Sequence, residues 1–267
     1  MTLVRKSLCS LALGALAFAP LLSGCGGSAV SGDEAMAADS TQTADQVSAV
    51  TSLTTDGVDL TTSGISSDTA ATVAASSAGS KLTPATCLTK TVVGSVATYT
   101  MNSCTGPYGL VAVTGTLQAT YTVQGSGTGT SLKVDLAATG LKVNGATLDI
   151  ASSATISGPQ AARTATVTST TRAVTARGNS IAHTGSYTAG SDGNCVTLTG
   201  SFATQSGIFN WSTQIDNYKR CQNMCPTQGK ITFTGTLHTT TITYNGSATA
   251  AITVDGRTGN LGLLCSG

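Results

Sequence analysis

From about Lys81 to the C-terminus, apolar and polar residues alternate with a period of two. In 109–124 the odd positions hold Val111, Val113, Leu117, Ala119, Tyr121 and Val123, and the even positions from Thr114 hold Thr114, Thr116, Gln118, Thr120, Thr122 and Gln124. Successive side chains of a strand point to opposite faces, so this run predicts a strand with one buried and one wet face. The run 230–244 repeats it, with Ile231, Phe233 and Leu237 on one side and Thr232, Thr234, Thr236 and His238 on the other. Similar β-branched runs occur near 91–102, 131–137, 146–157, 163–176, 179–189, 195–204, 208–216 and 247–255. Asn144-Gly145, Asp192-Gly193, Asn245-Gly246 and Asp255-Gly256 punctuate them with the chemistry of tight hairpins. No long segment carries a helical stripe. The expected fold is all-β: antiparallel, either a sandwich or a strongly curved extended sheet.

An internal repeat is also expected. Gly109-Leu-Val-Ala-Val-Thr-Gly-Thr-Leu117 matches Gly229-Lys-Ile-Thr-Phe-Thr-Gly-Thr-Leu237 at an offset of 120, and the same offset aligns Val134-Asp135 with Val254-Asp255. The copies would cover about 87–157 and 195–265 and build two related β modules. Ahead of this domain, residues 26–80 contain no aromatic and few large aliphatics among many Ser, Thr, Ala and Asp. Such a stretch buries too little apolar surface to offset its ordering entropy, so 25–80 reads as a flexible acidic tether. A short helix around 67–78 is conceivable there, and marginal alone.

The N-terminus has a different character. Arg5 and Lys6 precede an uncharged Leu/Ala-rich run ending near Leu22. That run is short of the ~20 apolar residues a membrane span needs, and has the make-up of an export signal. It closes in Leu22-Ser23-Gly24-Cys25, which resembles the lipobox of bacterial lipoproteins. The resemblance implies cleavage before Cys25, loss of residues 1–24 together with Cys9, and diacylglyceryl attachment to the Cys25 thiol. Several acyl chains anchor stably where one is marginal. It further implies a lipid-anchored protein outside the cytoplasm. Gly26 stands where Asp often marks inner-membrane retention, which favours the outer membrane. The segment Cys104-Thr-Gly-Pro-Tyr-Gly109 is similar to one in uncharacterised bacterial lipoproteins and implies no activity.

Composition narrows the picture further. Of 267 residues only 9% are charged and 4% aromatic. Seven acidic residues and no Lys or Arg lie between 26 and 80, whereas 81–267 holds eleven basic and five acidic residues. The basic residues are scattered singly with few aromatics beside them, so no nucleic-acid partner is expected. In an oxidising compartment the six cysteines beyond Cys25 read as three disulfides. The favoured pairing is Cys87–Cys104, with Cys195 joined to Cys221 or Cys225 and the remaining one to Cys265. A Cys221/Cys225/His238 metal cluster fits no common zinc spacing, and no metal or cofactor is expected. A transmembrane barrel would share the alternation, but the expected anchor, the six cysteines and the missing aromatic girdles argue against it.

Catalytic motifs are sparse. There is no Gly-x-Ser-x-Gly, no Ser-x-x-Lys and no phosphate loop. His183 and His238 read as ordinary strand residues. Asp135 and Asp255 occupy equivalent places in the expected repeat; they read first as strand ends before turns, and otherwise as the carboxylate pair of a glycan hydrolase. Asp216-Asn-Tyr218-Lys219-Arg220-Cys221, beside the only tryptophan, Trp211, reads first as a plain connecting loop, with a recognition loop tied by a disulfide as the alternative. The function expected first is a non-enzymatic structural or interaction module, with an envelope protein or glycan as partner. A carrier or chaperone of a hydrophobic envelope molecule comes second, and a glycan hydrolase last.

Overall fold

The computed structural model describes residues 54–263, apart from 56, 61–63, 81, 106–111, 160–161, 177, 192–194 and 222–223. The expected signal segment, Cys25, Cys265 and the turn pair Asp192-Gly193 lie outside the described residues. The protein is all-β. Thirteen strands form one antiparallel sheet in which every strand pairs with its neighbours in sequence. They are β1 (Leu88–Val93), β2 (Val96–Thr105), β3 (Ala112–Gln124), β4 (Ser131–Val143), β5 (Ala146–Ser157), β6 (Thr164–Val174), β7 (Ser180–Ser191), β8 (Cys195–Ser206), β9 (Phe209–Cys221), β10 (Gln228–Thr234), β11 (Thr239–Tyr244), β12 (Thr249–Val254) and β13 (Arg257–Gly262). Of the two expected architectures, the described residues form the single extended sheet.

Alternation drives this arrangement. In β6, Ala165, Val167, Ser169, Thr171 and Ala173 are buried while the residues between them are exposed. The period slips wherever a bulge adds a residue. Register shifts fall between Met101 and Cys104, Thr114 and Leu117, Ala138 and Leu141, Leu198 and Gly200, and Gln228 and Lys230. A positive φ accompanies each of them, at Ser103, Gly115, Gly140, Asn217 and Gly229 respectively. At Gly229 a Cβ would also sit 2.4 Å from Tyr218 Cα, so two backbones meet there that only glycine allows so close.

The other face of the sheet is polar. One cross-strand row runs Thr120, Asp135, Ser153, Thr168, Ser186, Ser201, Gln214, Thr232, Thr241, Thr253 and Thr258, without an apolar member from β3 to β13. A barrel wall facing lipid needs an apolar outward band; this face is its opposite.

Several expectations need correction. The run 230–244 is two strands, because Gly235–His238 turns the chain, closed by the Gly235 N–H donating to His238 O at 2.8 Å. The alternation continues through that turn, so periodicity could not reveal it, and Leu237 lands at the tip, 71% exposed. The run 91–102 likewise spans the turn between β1 and β2. The β13 strand carries no apolar alternation and forms through backbone pairing with β12. The expected repeat has no counterpart in the strand plan. β3 and β4 are unbroken thirteen-residue strands, whereas the segments 120 residues later are split between β10 and β11 and between β12 and β13.

The tether also ends earlier than residue 80. Helix α1 (Ser67–Gly79) is capped by Ser66, whose Oγ accepts from the Thr69 N–H, and it lies against β1, β2 and β3. Its Ala70, Ala71, Ala74, Ala75 and Ala78 are at most 2% exposed. Alanine at these spacings makes a smooth face that lets the helix sit close to the sheet, so tertiary contact supplies the stability that length and propensity do not. Lys90 Nζ donates to Ala75 O at 3.0 Å, and the Val123 N–H donates to Ser67 Oγ at 3.0 Å. Ahead of the helix, Val58 and Leu60 are buried in the same core. The buried Arg163 donates to Val58 O at 2.6 Å and Tyr121 donates to Thr54 O at 2.8 Å.

Two disulfides tie the ends of strands. Cys87 is bonded to Cys104, and Cys195 to Cys221, its register partner across β8 and β9. Cys225 is disulfide-bonded as well, to a residue outside the described ones.

Candidate functional site

The buried face is apolar at both ends and polar in the middle. On four consecutive strands Thr171 opposes His183, His183 opposes Thr204, and Thr204 opposes Trp211. Thr171 and His183 are fully buried and Thr204 and Trp211 nearly so. Directly opposed side chains lie within about 5.5 Å at Cβ, so the four make one contiguous row. His183 Nδ1 and Thr204 Oγ1 share a hydrogen bond of 2.8 Å. Thr171 Oγ1, His183 Nε2 and Trp211 Nε1 have no protein partner, and neither has Tyr244 Oη on the same face.

Aromatic rings flank the row. His183 stacks on Phe202 at 5.5 Å, Tyr187 tilts against Phe202 at 5.6 Å, and Trp211 meets Phe233 at 6.2 Å. Gly185 makes the first of these possible: a Cβ there would lie 2.4 Å from Phe202 Cδ1. Burial pushes the His183 pKa down to about 4, which makes the imidazole neutral at ordinary pH. A neutral imidazole, a hydroxyl and an indole N–H can bind a polar group by hydrogen bonds. They do not make a catalytic relay, since the orienting partner of His183 is a threonine and not a carboxylate.

The outward face carries an open depression of about 780 Å³ over β4 to β9. Asp135, Ser153, Thr168, Ser186, Ser201 and Ser212 line it. Burial acts to raise the Asp135 pKa. Hydrogen bonds from Lys133 and Ser153, with the Lys133 charge, outweigh this and hold the carboxyl below its ordinary value.

The expected recognition loop is not a loop. Asp216–Cys221 is the end of β9, and the bulge at Asn217 breaks the alternation there, which made strand sequence read as loop sequence. The strand also divides the five named residues. Trp211 and Tyr218 are buried on the inner face, with Tyr218 edge-on to Tyr244 at 5.3 Å. Asp216 is paired with Lys230 at 3.3 Å and accepts from Gln214 at 3.1 Å. Lys219 accepts the Thr227 N–H at its carbonyl, and Arg220 donates to Met224 O at 3.3 Å. Only Trp211 joins the row described above.

The two carboxylates considered for hydrolysis stay apart. Asp135 lies inside β4 beside Lys133, whereas Asp255 turns the chain between β12 and β13. A backbone hydrogen bond from Thr239, followed by one from His238, holds Asp255 below the usual carboxylate range. Among the described residues, no three of His, Cys, Asp and Glu come together as a metal site. No helix among them is long and apolar enough to cross a membrane. The sequence reading missed the Thr171–His183–Thr204–Trp211 row. Its one available signal was polar side chains at positions whose parity assigns them to the buried face. Compared with family models, with curated proteins and with solved structures, the chain has no match in any of the three.

Proposed function

We propose that this chain is an exported bacterial lipoprotein, anchored through Cys25 and most at home on the outer membrane. Its β domain is a non-enzymatic structural or interaction module of the envelope. The observation that supports the module reading is the polar cross-strand row running from β3 to β13 with the hydroxyl-lined depression set into it. Such a face offers many weak donors and acceptors and no reactive centre, which suits an envelope protein or a glycan as partner. The anchor is tested by Cys25→Ser. Membrane-fraction assays should show the variant released or left unprocessed, and intact mass should show the parent chain starting at an acylated Cys25. Unchanged retention, or an unmodified first residue in the parent, overturns the anchor.

The buried row favours a second reading, a carrier of a hydrophobic envelope molecule. An unpaired buried polar group costs about 1–3 kcal/mol, and three lie in one row on β6, β7 and β9 between apolar clusters. A hydrophobic molecule whose polar groups reach along the row would satisfy them. Native mass spectra of the chain extracted in mild detergent should then show a non-covalent adduct that Trp211→Phe reduces at least two-fold. A bare mass for both proteins overturns this reading.

A further inference from the structure

Strand direction sorts the hairpin turns into two sets at opposite ends of the sheet. The turns β6–β7, β8–β9, β10–β11 and β12–β13 share one end with the polar Asn144-Gly145 turn of β4–β5. Each of the four carries a large apolar side chain in solvent: Val174 is 46% exposed, Ile208 85% with Phe209 at 38%, Leu237 71% and Val254 39%. At the other end the described turns expose two, Val93 at 73% at the turn after β1 and Met224 at 51% after β9, and the turn after β11 is Asn245-Gly-Ser-Ala248. With strands about 4.8 Å apart, successive tips stand about 10 Å apart and the rim runs about 30 Å along the sheet.

We propose that this rim of hairpin tips dips into the surface of an anionic lipid bilayer. The spacing selects lipid over protein. A protein partner must close a continuous packed patch of about 800 Å² around its anchors. Here each apolar tip is separated from the next by Gly, Thr, Ser or charged residues, such as Thr236 and His238 beside Leu237. A fluid bilayer conforms to isolated side chains one by one, and the polar residues between them stay at headgroup level.

Charge points the same way. Lys142, Arg172 and Arg257 are exposed at this end. Two carboxylates share that end: Asp149, the register partner of Arg172, accepts from the Gly140 N–H at 2.8 Å, and Asp255, which the Arg257 charge helps to keep ionised, accepts from His238 and from the Thr239 N–H at 2.9 Å. Among the described residues three cations stand against two carboxylates, and this surplus of one positive charge behind the apolar tips favours anionic headgroups. Chain length permits the contact. The 29 peptide steps from Cys25 to Thr54 reach at most about 100 Å, more than the ~43 Å of a thirteen-residue strand. The inference rests on the membrane placement proposed above, but makes the tips, not the acyl chains alone, a lipid contact.

The test uses the native lipidated chain in vesicles of phosphatidylethanolamine and phosphatidylglycerol with brominated acyl chains. Leu237→Trp and Ile208→Trp report depth at the rim and Val93→Trp reports the opposite end, while the buried Trp211 supplies a constant background. Bromine should at least halve the added fluorescence of both rim variants and leave that of Val93→Trp unchanged. Unquenched rim variants that still float with the vesicles overturn the inference and leave the anchor standing, as does equal quenching at both ends. Quenched rim variants on a chain whose mass shows an unmodified Cys25 uphold it and overturn the anchor instead. Ile208→Ser with Leu237→Ser, on an otherwise unchanged chain, should weaken flotation of unlipidated protein at least five-fold; no change overturns the inference.

Discussion

Ala74→Asp should lower the stability of the domain by more than about 3 kcal/mol, whereas Thr72→Asp, one face away on the same helix, should change it by no more than about 0.5 kcal/mol. Ala74 is fully buried against the sheet and Thr72 is exposed. A carboxylate at position 74 must lose its water or prise α1 from β1 to β3. Prising it away uncovers Tyr99 and Tyr121, whose hydroxyls share a 2.8 Å hydrogen bond and whose pKa values burial has raised. Tyr121 would also lose its acceptor on Thr54. Urea midpoints of the two variants, with the parent slope, decide the matter. Equal and small effects would mean that 67–79 is part of a free tether.

Acid should destabilise the parent protein between about pH 6.5 and pH 4 through His183. Its folded pKa of about 4 lies below the ordinary 6.5 because burial disfavours the imidazolium. In that window the unfolded chain binds a proton that the folded one refuses, so stability rises with pH and falls as acid is added. The loss amounts to roughly 3 kcal/mol by pH 4, and nothing of it remains above pH 7. His183→Met should cost about 1 kcal/mol at neutral pH for the lost bond to Thr204, and should flatten the slope. Denaturant titrations at pH 7, 5.5 and 4.2 measure both, and parallel curves would remove His183 from the account. Asp135 and Asp255 contribute with the other window: their lowered values stabilise above about pH 3.8 and are lost only below it.

The legibility of this fold in its sequence was uneven, for physical reasons that individual residues show. The strand 146–157 could be read directly because its alternation, Ala146, Leu148, Ile150 and onward, has no bulge to disturb it. The stretch 216–221 could not, since one added residue at Asn217 inverts the parity and brings Tyr218 inward where an unbroken strand would turn it out. Helix α1 was harder still. Its buried face is alanine, and alanine reports neither burial nor a partner until the sheet it touches is known. The row Thr171–His183–Thr204 was hidden for the opposite reason, because Thr and His on a Thr-rich strand look like surface residues whichever face they occupy.

Period-two patterning and hairpin chemistry alone determined that the chain forms antiparallel strands with one buried face, because those signals act between residues one to four apart. Only the tertiary structure decided that all thirteen join one sheet in sequence order, that an alanine-faced helix covers its beginning, and that Thr171, His183 and Trp211 fall in one buried row on its inner face. Each of those depends on register between strands, and register is set by bulges and turns whose effect accumulates across the sheet.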